Sequence, residues 1–255
     1  MNIEGKTAIV TGAASGIGRA TAMMLSGHGA TEIALVDVNE TGLIKTAQLV
    51  EAQGTKATAH WLDLGDIAAT ETWFSRYSDV DILFNNAGVV SGLPQFPDVN
   101  AKRIQWIVDV NVTSMVVATQ IAVQKMRQRK GGVIINTVST VALGTGFYDA
   151  MYATTKAAVM MFTRCCASLK EECNVRVAGI LPGLVTTPIL DTTGAGGKSE
   201  WMKTVLANNE ACLPEDIAGG VVKLIEDDGL AGGDWVAVRR LNGKIEYRWG
   251  HADSV

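Results

Sequence analysis

Residues 11–18 read Thr-Gly-Ala-Ala-Ser-Gly-Ile-Gly, between the apolar run Ala8-Ile9-Val10 and a helical pattern over residues 17–27. Glycine at 12, 16 and 18 lets a chain turn tightly from strand to helix. It also lets the backbone approach a pyrophosphate, whose charge suits the free N–H groups of the helix's first turn. The spacing departs by one residue from the usual G-x-G-x-x-G, so a second signal matters. Asp37 supplies it, closing the next β-rich run 19 residues after Gly18, near the roughly 20 expected for an acid that grips an adenosine ribose. A carboxylate there accepts both ribose hydroxyls of NAD and repels a 2′-phosphate. The neighbours Ser15 and Val38 bring no cation to offset that repulsion, so the expected cofactor is NAD rather than NADP.

Outward from this turn, short β-rich runs alternate with helical patterns. Strands are expected near residues 7–11, 33–37, 57–62, 81–85, 133–137, 176–181 and 235–238, with helices at 17–27, 40–53 and from Asp66, an N-cap, to about residue 77. Gly54 suits the left-handed position that ends the second helix. The pattern predicts an α/β chain: one Rossmann-type doubly wound parallel sheet of about seven strands, helices on both faces, spanning 1–255 as a single domain. Residues 110–126 and 152–169 are apolar on nearly every helical face. Helices of that kind are buried or pressed against another chain, so they are the expected homodimer interface.

Composition narrows the partners. The chain has 255 residues, 47% apolar and 19% charged, which excludes disorder. A net charge of −4 offers no broad footprint for nucleic acid or an anionic membrane, leaving small molecules as the expected ligands. The four cysteines and three histidines lack metal-ligand spacing, so no metal is expected. The N-terminal apolar run is too short for a signal core, and a reducing cytoplasm is the expected location.

Five elements, in order, resemble the short-chain dehydrogenase/reductase superfamily: TGAASGIG at 11–18, NNAG at 85–88, Asn111, Ser139, and YATTK at 152–156. Tyrosine and lysine one helical turn apart also make chemical sense. Oxidising an alcohol needs a base, a free phenol with pKa about 10 is a poor one at neutral pH, and a neighbouring ammonium favours phenolate. The resemblance implies Tyr152 as acid/base, Lys156 as its electrostatic partner and ribose ligand, Ser139 as donor to the substrate oxygen, and Asn111 as a water-holding relay. It implies that Gly12, Ser15, Gly16, Ile17, Gly18, Asp37 and Val38 hold the cofactor's adenosine and pyrophosphate. Asp63 and Leu64 would take the adenine edge, and Asn86, Ala87 and Gly88 would line the cofactor. Pro182, Gly183, Val185 and Thr187 would form the nicotinamide-side turn.

Residues 186–213 combine a glycine-rich stretch with a short amphipathic helix and read as a lid. Leu190, Trp201, Met202 and Leu206, with Leu143, Phe147 and Tyr148 opposite, point to an apolar or aromatic secondary alcohol. The tail, LIEDDGLAGGDWVAV followed by NGKIEYRW, is similar to that of NAD-dependent hydroxyprostaglandin dehydrogenases. It departs from the wider family's ending, which favours dimer over tetramer. Two other readings stay open: a ketone reductase, and a non-catalytic NAD-binding scaffold or redox sensor.

Overall fold

The computed structural model describes residues 1–253 apart from 78, 130, 145 and 146; residues 254–255 of the expected domain lie outside the described residues. Eight strands form one sheet: β1 (Thr7–Thr11), β2 (Glu32–Asp37), β3 (Lys56–Trp61), β4 (Ile82–Asn85), β5 (Gly132–Thr137), β6 (Val175–Pro182), β7 (Trp235–Leu241) and β8 (Lys244–Gly250). Their order is β3-β2-β1-β4-β5-β6-β7-β8, and all neighbours are parallel except β7 and β8. Strand order reverses between β1 and β4. In such sheets a ligand crevice opens beyond the carboxyl ends of the two strands at the reversal.

Strand residues alternate between two cores, as the two-residue period requires. Val10, Phe84 and Ile135 enter one apolar cluster, while Ile9, Leu83 and Ile134 enter the other. Helices cover both faces: α1 (Gly16–Gly27), α2 (Glu40–Glu51), α3 (Ile67–Arg76), α4 (Ala101–Val108), α5 (Ser114–Met126), α6 (Ala150–Cys165), α7 (Leu169–Cys173), α8 (Glu200–Asn208) and α9 (Pro214–Glu226). Asp66 caps α3 as its sequence position predicts, accepting from Ala69 N–H at 2.9 Å. Gly54, just past α2, has φ +92°.

Three expectations change. The sheet has eight strands rather than seven, because Asn242 (φ 51°) and Gly243 (φ +73°) form a two-residue turn. Two positive φ values in succession match the twist of an antiparallel hairpin, so the tail folds back on β7. The expected helix 110–126 starts earlier, at Ala101, and passes through a π-helical turn over Asp109–Thr113 before α5. This run is long and apolar enough to cross a membrane by length and composition, with 44% of its most apolar window buried in the fold. The expected helix 152–169 breaks after Cys165, and a separate turn, α7, follows.

Gly250 closes β8 opposite Trp235, and a Cβ there would lie 2.1 Å from the indole. Gly250→Ala is therefore expected to destabilise the fold by about 1–3 kcal/mol, the usual cost of overpacking. Thermal unfolding reads this as a lowered Tm.

Candidate active site

The glycine turn leaves no room for side chains. Gly12 and Gly16 have φ of +65° and +52°, and a Cβ on Gly18 would sit 2.1 Å from the Gly12 carbonyl oxygen. At Gly16 a Cβ would press on Thr187 at 2.9 Å, which brings the turn after β6 against the turn after β1. Asn86 locks the far side: its amide donates to the carbonyls of Thr11 (3.1 Å) and Gly12 (3.4 Å), while its own N–H and that of Ala87 donate to the Thr11 hydroxyl. Such a bare cradle, opening onto the N-terminus of α1, fits a dinucleotide pyrophosphate.

Asp37 ends β2 beside this cradle and accepts from the Ala14 N–H at 3.0 Å and the Asn39 N–H at 3.0 Å. Each carboxylate oxygen keeps capacity for a ribose hydroxyl. Arg19, a cation that the sequence reading does not weigh, also reaches the turn. Its guanidinium is committed to the Thr46 hydroxyl and the carbonyls of Ala14 and Gly42, without an ion pair to Asp37 among the described residues. Val38 is 54% exposed and Leu64 is buried. Asp63 lies two residues beyond the end of β3, accepting from Gly65 N–H at 2.8 Å.

At the carboxyl end of β5 the other predicted residues come together. Lys156, on α6, is buried at 3% exposure and donates to the Thr137 carbonyl at 2.8 Å. Its ammonium nitrogen lies 5.7 Å from the Tyr152 ring centre. A Cβ on Gly88 would stand 3.5 Å from both the Lys156 nitrogen and Asn111 Oδ1, so Gly88 holds a space between them. Asn111 sits in the π-helical turn; it accepts from Val89 N–H at 2.8 Å and donates to Val89 C=O at 2.9 Å and the Thr155 hydroxyl at 3.0 Å. An internal gap of about 10 Å³ touches Asn111, Lys156 and Thr137, about the room one water needs.

One expectation reverses. The sequence argument has Lys156 pulling the Tyr152 phenol toward ionisation; instead, crowding by protein atoms pushes its pKa up to about 12. A hydrogen bond with Ser139 works against that rise and the Asp149 carboxylate adds to it. Burial also brings the Lys156 ammonium down to about 8. Desolvation disfavours each charged form before their mutual attraction can act.

Sequence reading missed Asp149. Its buried carboxylate caps α6 by accepting from Tyr152 N–H at 3.0 Å, and it accepts from Ser91 N–H (2.8 Å) and the Ser91 hydroxyl (2.5 Å). Aspartate three residues ahead of Tyr152 is an N-cap signal. Ser91 left no comparable trace, being 58 residues away in sequence. Among the expected lid residues, Phe147 lies 6.0 Å from the Tyr152 ring and 5.6 Å from Trp201, and Tyr148 stacks on Trp201 at 5.3 Å. Leu190 and Met202 are buried, Leu206 is partly buried, and Leu143 is 39% exposed. Pro182 ends β6, Gly183 donates to Val238 C=O at 2.9 Å, and Val185 bridges to Cys212.

A family model described as short chain dehydrogenase matches residues 6–196. The chain is 34% identical over 250 residues to 15-hydroxyprostaglandin dehydrogenase [NAD(+)] of Mus musculus, covering 91% of this chain and 89% of that protein. It is 34% identical over 244 residues to 2,3-dihydro-2,3-dihydroxybenzoate dehydrogenase of Bacillus subtilis, covering 90% and 92%. A solved structure of 7α-hydroxysteroid dehydrogenase, complexed with NADH and 7-oxo glycochenodeoxycholic acid, matches with a TM-score of 0.78 at 28% identity, covering 88% and 89%.

An ammonium whose pKa falls from 10.5 to about 8 on folding costs stability wherever the unfolded chain would hold the proton. The cost, on the order of 3 kcal/mol, is full below about pH 8 and fades as pH rises towards 10.5. Part is offset by the bond to Thr137. Lys156→Met is therefore expected to raise Tm at pH 7, by an amount that shrinks at pH 10. An equal gain at both values would contradict the burial cost.

Proposed function

The chain belongs to the short-chain dehydrogenase family, and from that premise we propose that it is an NAD-dependent oxidoreductase interconverting a secondary alcohol and a ketone. The observation that carries the reading is the convergence of Tyr152, Ser139, Lys156 and Asn111 at one end of β5, on the side of the sheet where the glycine cradle opens. NAD, when bound, supplies hydride exchange with the substrate carbon. All proton handling falls to the chain.

Ser139 donates to the substrate oxygen and Tyr152 exchanges its proton. Lys156 supplies positive charge beside the phenol and, in the bound enzyme, a ribose contact. Asn111 and Lys156 border a gap with room for one water, which would serve as the proton relay. Asp37 selects NAD over NADP by repelling a 2′-phosphate, with Arg19 occupied elsewhere. Phe147, Tyr148 and Trp201 form an aromatic wall beside Tyr152, which suits an apolar or aromatic alcohol better than a sugar phosphate. The functional unit is a homodimer built on α5 and α6, where Ala157, Ala158 and the 55%-exposed Met161 leave an apolar face uncovered.

NADH fluorescence with a panel of secondary alcohols, including hydroxy fatty acids, sterols, arylalkanols and polyols, tests the activity. Tyr152→Phe is expected to remove turnover by about 10³-fold or more while NAD still binds. Undiminished turnover in that variant, or kcat/KM favouring NADP, would overturn the corresponding part of the proposal.

A further inference from the structure

A cavity of about 350 Å³ opens between the loop after β4 and the lid. Leu93, Pro94 and Val99 form its apolar wall, Asn100 and Arg103 provide the polar side, and Ala195 stands on the lid opposite. Gly92 adopts the left-handed φ of +66° that suits glycine, and the Thr192 carbonyl and the Arg103 guanidinium lie in van der Waals reach, 3.4 Å and 3.5 Å from where its Cβ would stand. The two walls nearly touch at this point.

Arg103 is held in a fixed pose. Nε donates to Ser91 C=O at 3.0 Å, one terminal nitrogen donates to Val90 C=O at 3.4 Å, and the guanidinium lies 3.9 Å from the Trp106 ring centre. Among the described residues no carboxylate pairs with it directly, and its other terminal nitrogen, Nη1, has no hydrogen-bond partner. Asn100 uses its side-chain oxygen to cap the Arg103 N–H at 2.9 Å, leaving its amide N–H₂ available. Asp149 is the nearest counter-charge, but its carboxylate is spent on Ser91 and the cap of α6, so a half-buried guanidinium with Nη1 unpaired against an apolar wall is complementary to a carboxylate borne on an apolar chain.

The cavity is tied to the reacting tyrosine on both sides. Arg103 binds Ser91, which binds Asp149, which caps Tyr152. On the other side the lid continues to Trp201, which packs on Phe147 beside Tyr152. We propose that this cavity is the distal subsite of the substrate and that Arg103 and Asn100 hold a carboxylate there. The substrate class is then hydroxy acids, or the corresponding oxo acids, with an apolar spacer between the two functional groups. The assignment of substrate rests on the secondary-alcohol reading above; the anion site itself does not.

Calorimetry separates the two. Octanoate, which has no hydroxyl to oxidise, is expected to bind the enzyme about tenfold or more tighter than octanamide, a preference set by one charge-assisted contact. That preference is expected to vanish in Arg103→Met and to fall several-fold in Ala195→Asp. The second variant changes only an exposed lid residue and carries the test if the first does not fold. In turnover assays, hydroxyalkanoates are expected to exceed their methyl esters in kcat/KM by a similar factor. Equal binding of octanoate and octanamide, or a preference that survives both variants, overturns the site. Selective octanoate binding without turnover of any alcohol supports the site and overturns the reaction instead.

Discussion

No atom can be added between Gly18 and the carbonyl of Gly12, and the whole site is arranged around that contact. A Cβ at Gly18 would meet the carbonyl oxygen at 2.1 Å. Helix α1 can therefore begin directly against the end of β1, with its unpaired N–H groups facing the crevice at the strand reversal. Asn86, the residue after β4, seals the same contact from the other side by donating to Thr11 and Gly12. One close approach thus joins β1, β4 and α1, the elements that would hold the dinucleotide.

A second layer of constraint is polar and buried. Asn85 donates to Asn136 and Thr119, and Asn136 donates to Thr163 on α6. These bonds pin α6 to the sheet at a height where Lys156 meets the Thr137 carbonyl. From the N-terminal end, Asp149 fixes the first turn of α6 and the Ser91 loop together. Burying lysine, asparagine and aspartate in one region costs solvation that apolar residues would not. The return is a rigid setting for Tyr152, Ser139 and Lys156, as expected where function rather than stability dictates the residue.

Much of this was legible beforehand because its signals are local. The Gly12 to Gly18 cluster, the distance to Asp37 and the cap at Asp66 each depend on neighbours within one strand–turn–helix unit, where backbone geometry dictates residue type. Asn242-Gly243 was an equally local hairpin signal, but the seven-residue strand that it starts is charged at alternate positions, so its apolar side, Ile245, Tyr247 and Trp249, stood out poorly. Arg103, Ser91 and the cavity they border were not legible. They depend on a loop, a helix start and the lid meeting from far apart in the chain.

By itself the sequence determined the doubly wound sheet, the glycine cradle and the one-turn spacing of Tyr152 and Lys156, since glycine geometry and helical spacing are properties of adjacent residues. Only the tertiary structure decided the ionisation of those residues and the shape of the space beside them. Tyr152 and Lys156 are one turn apart in any helix, but whether their attraction or their desolvation prevails depends on how much protein surrounds them. Burial prevails, holding the phenol protonated and weakening the ammonium's hold on its proton.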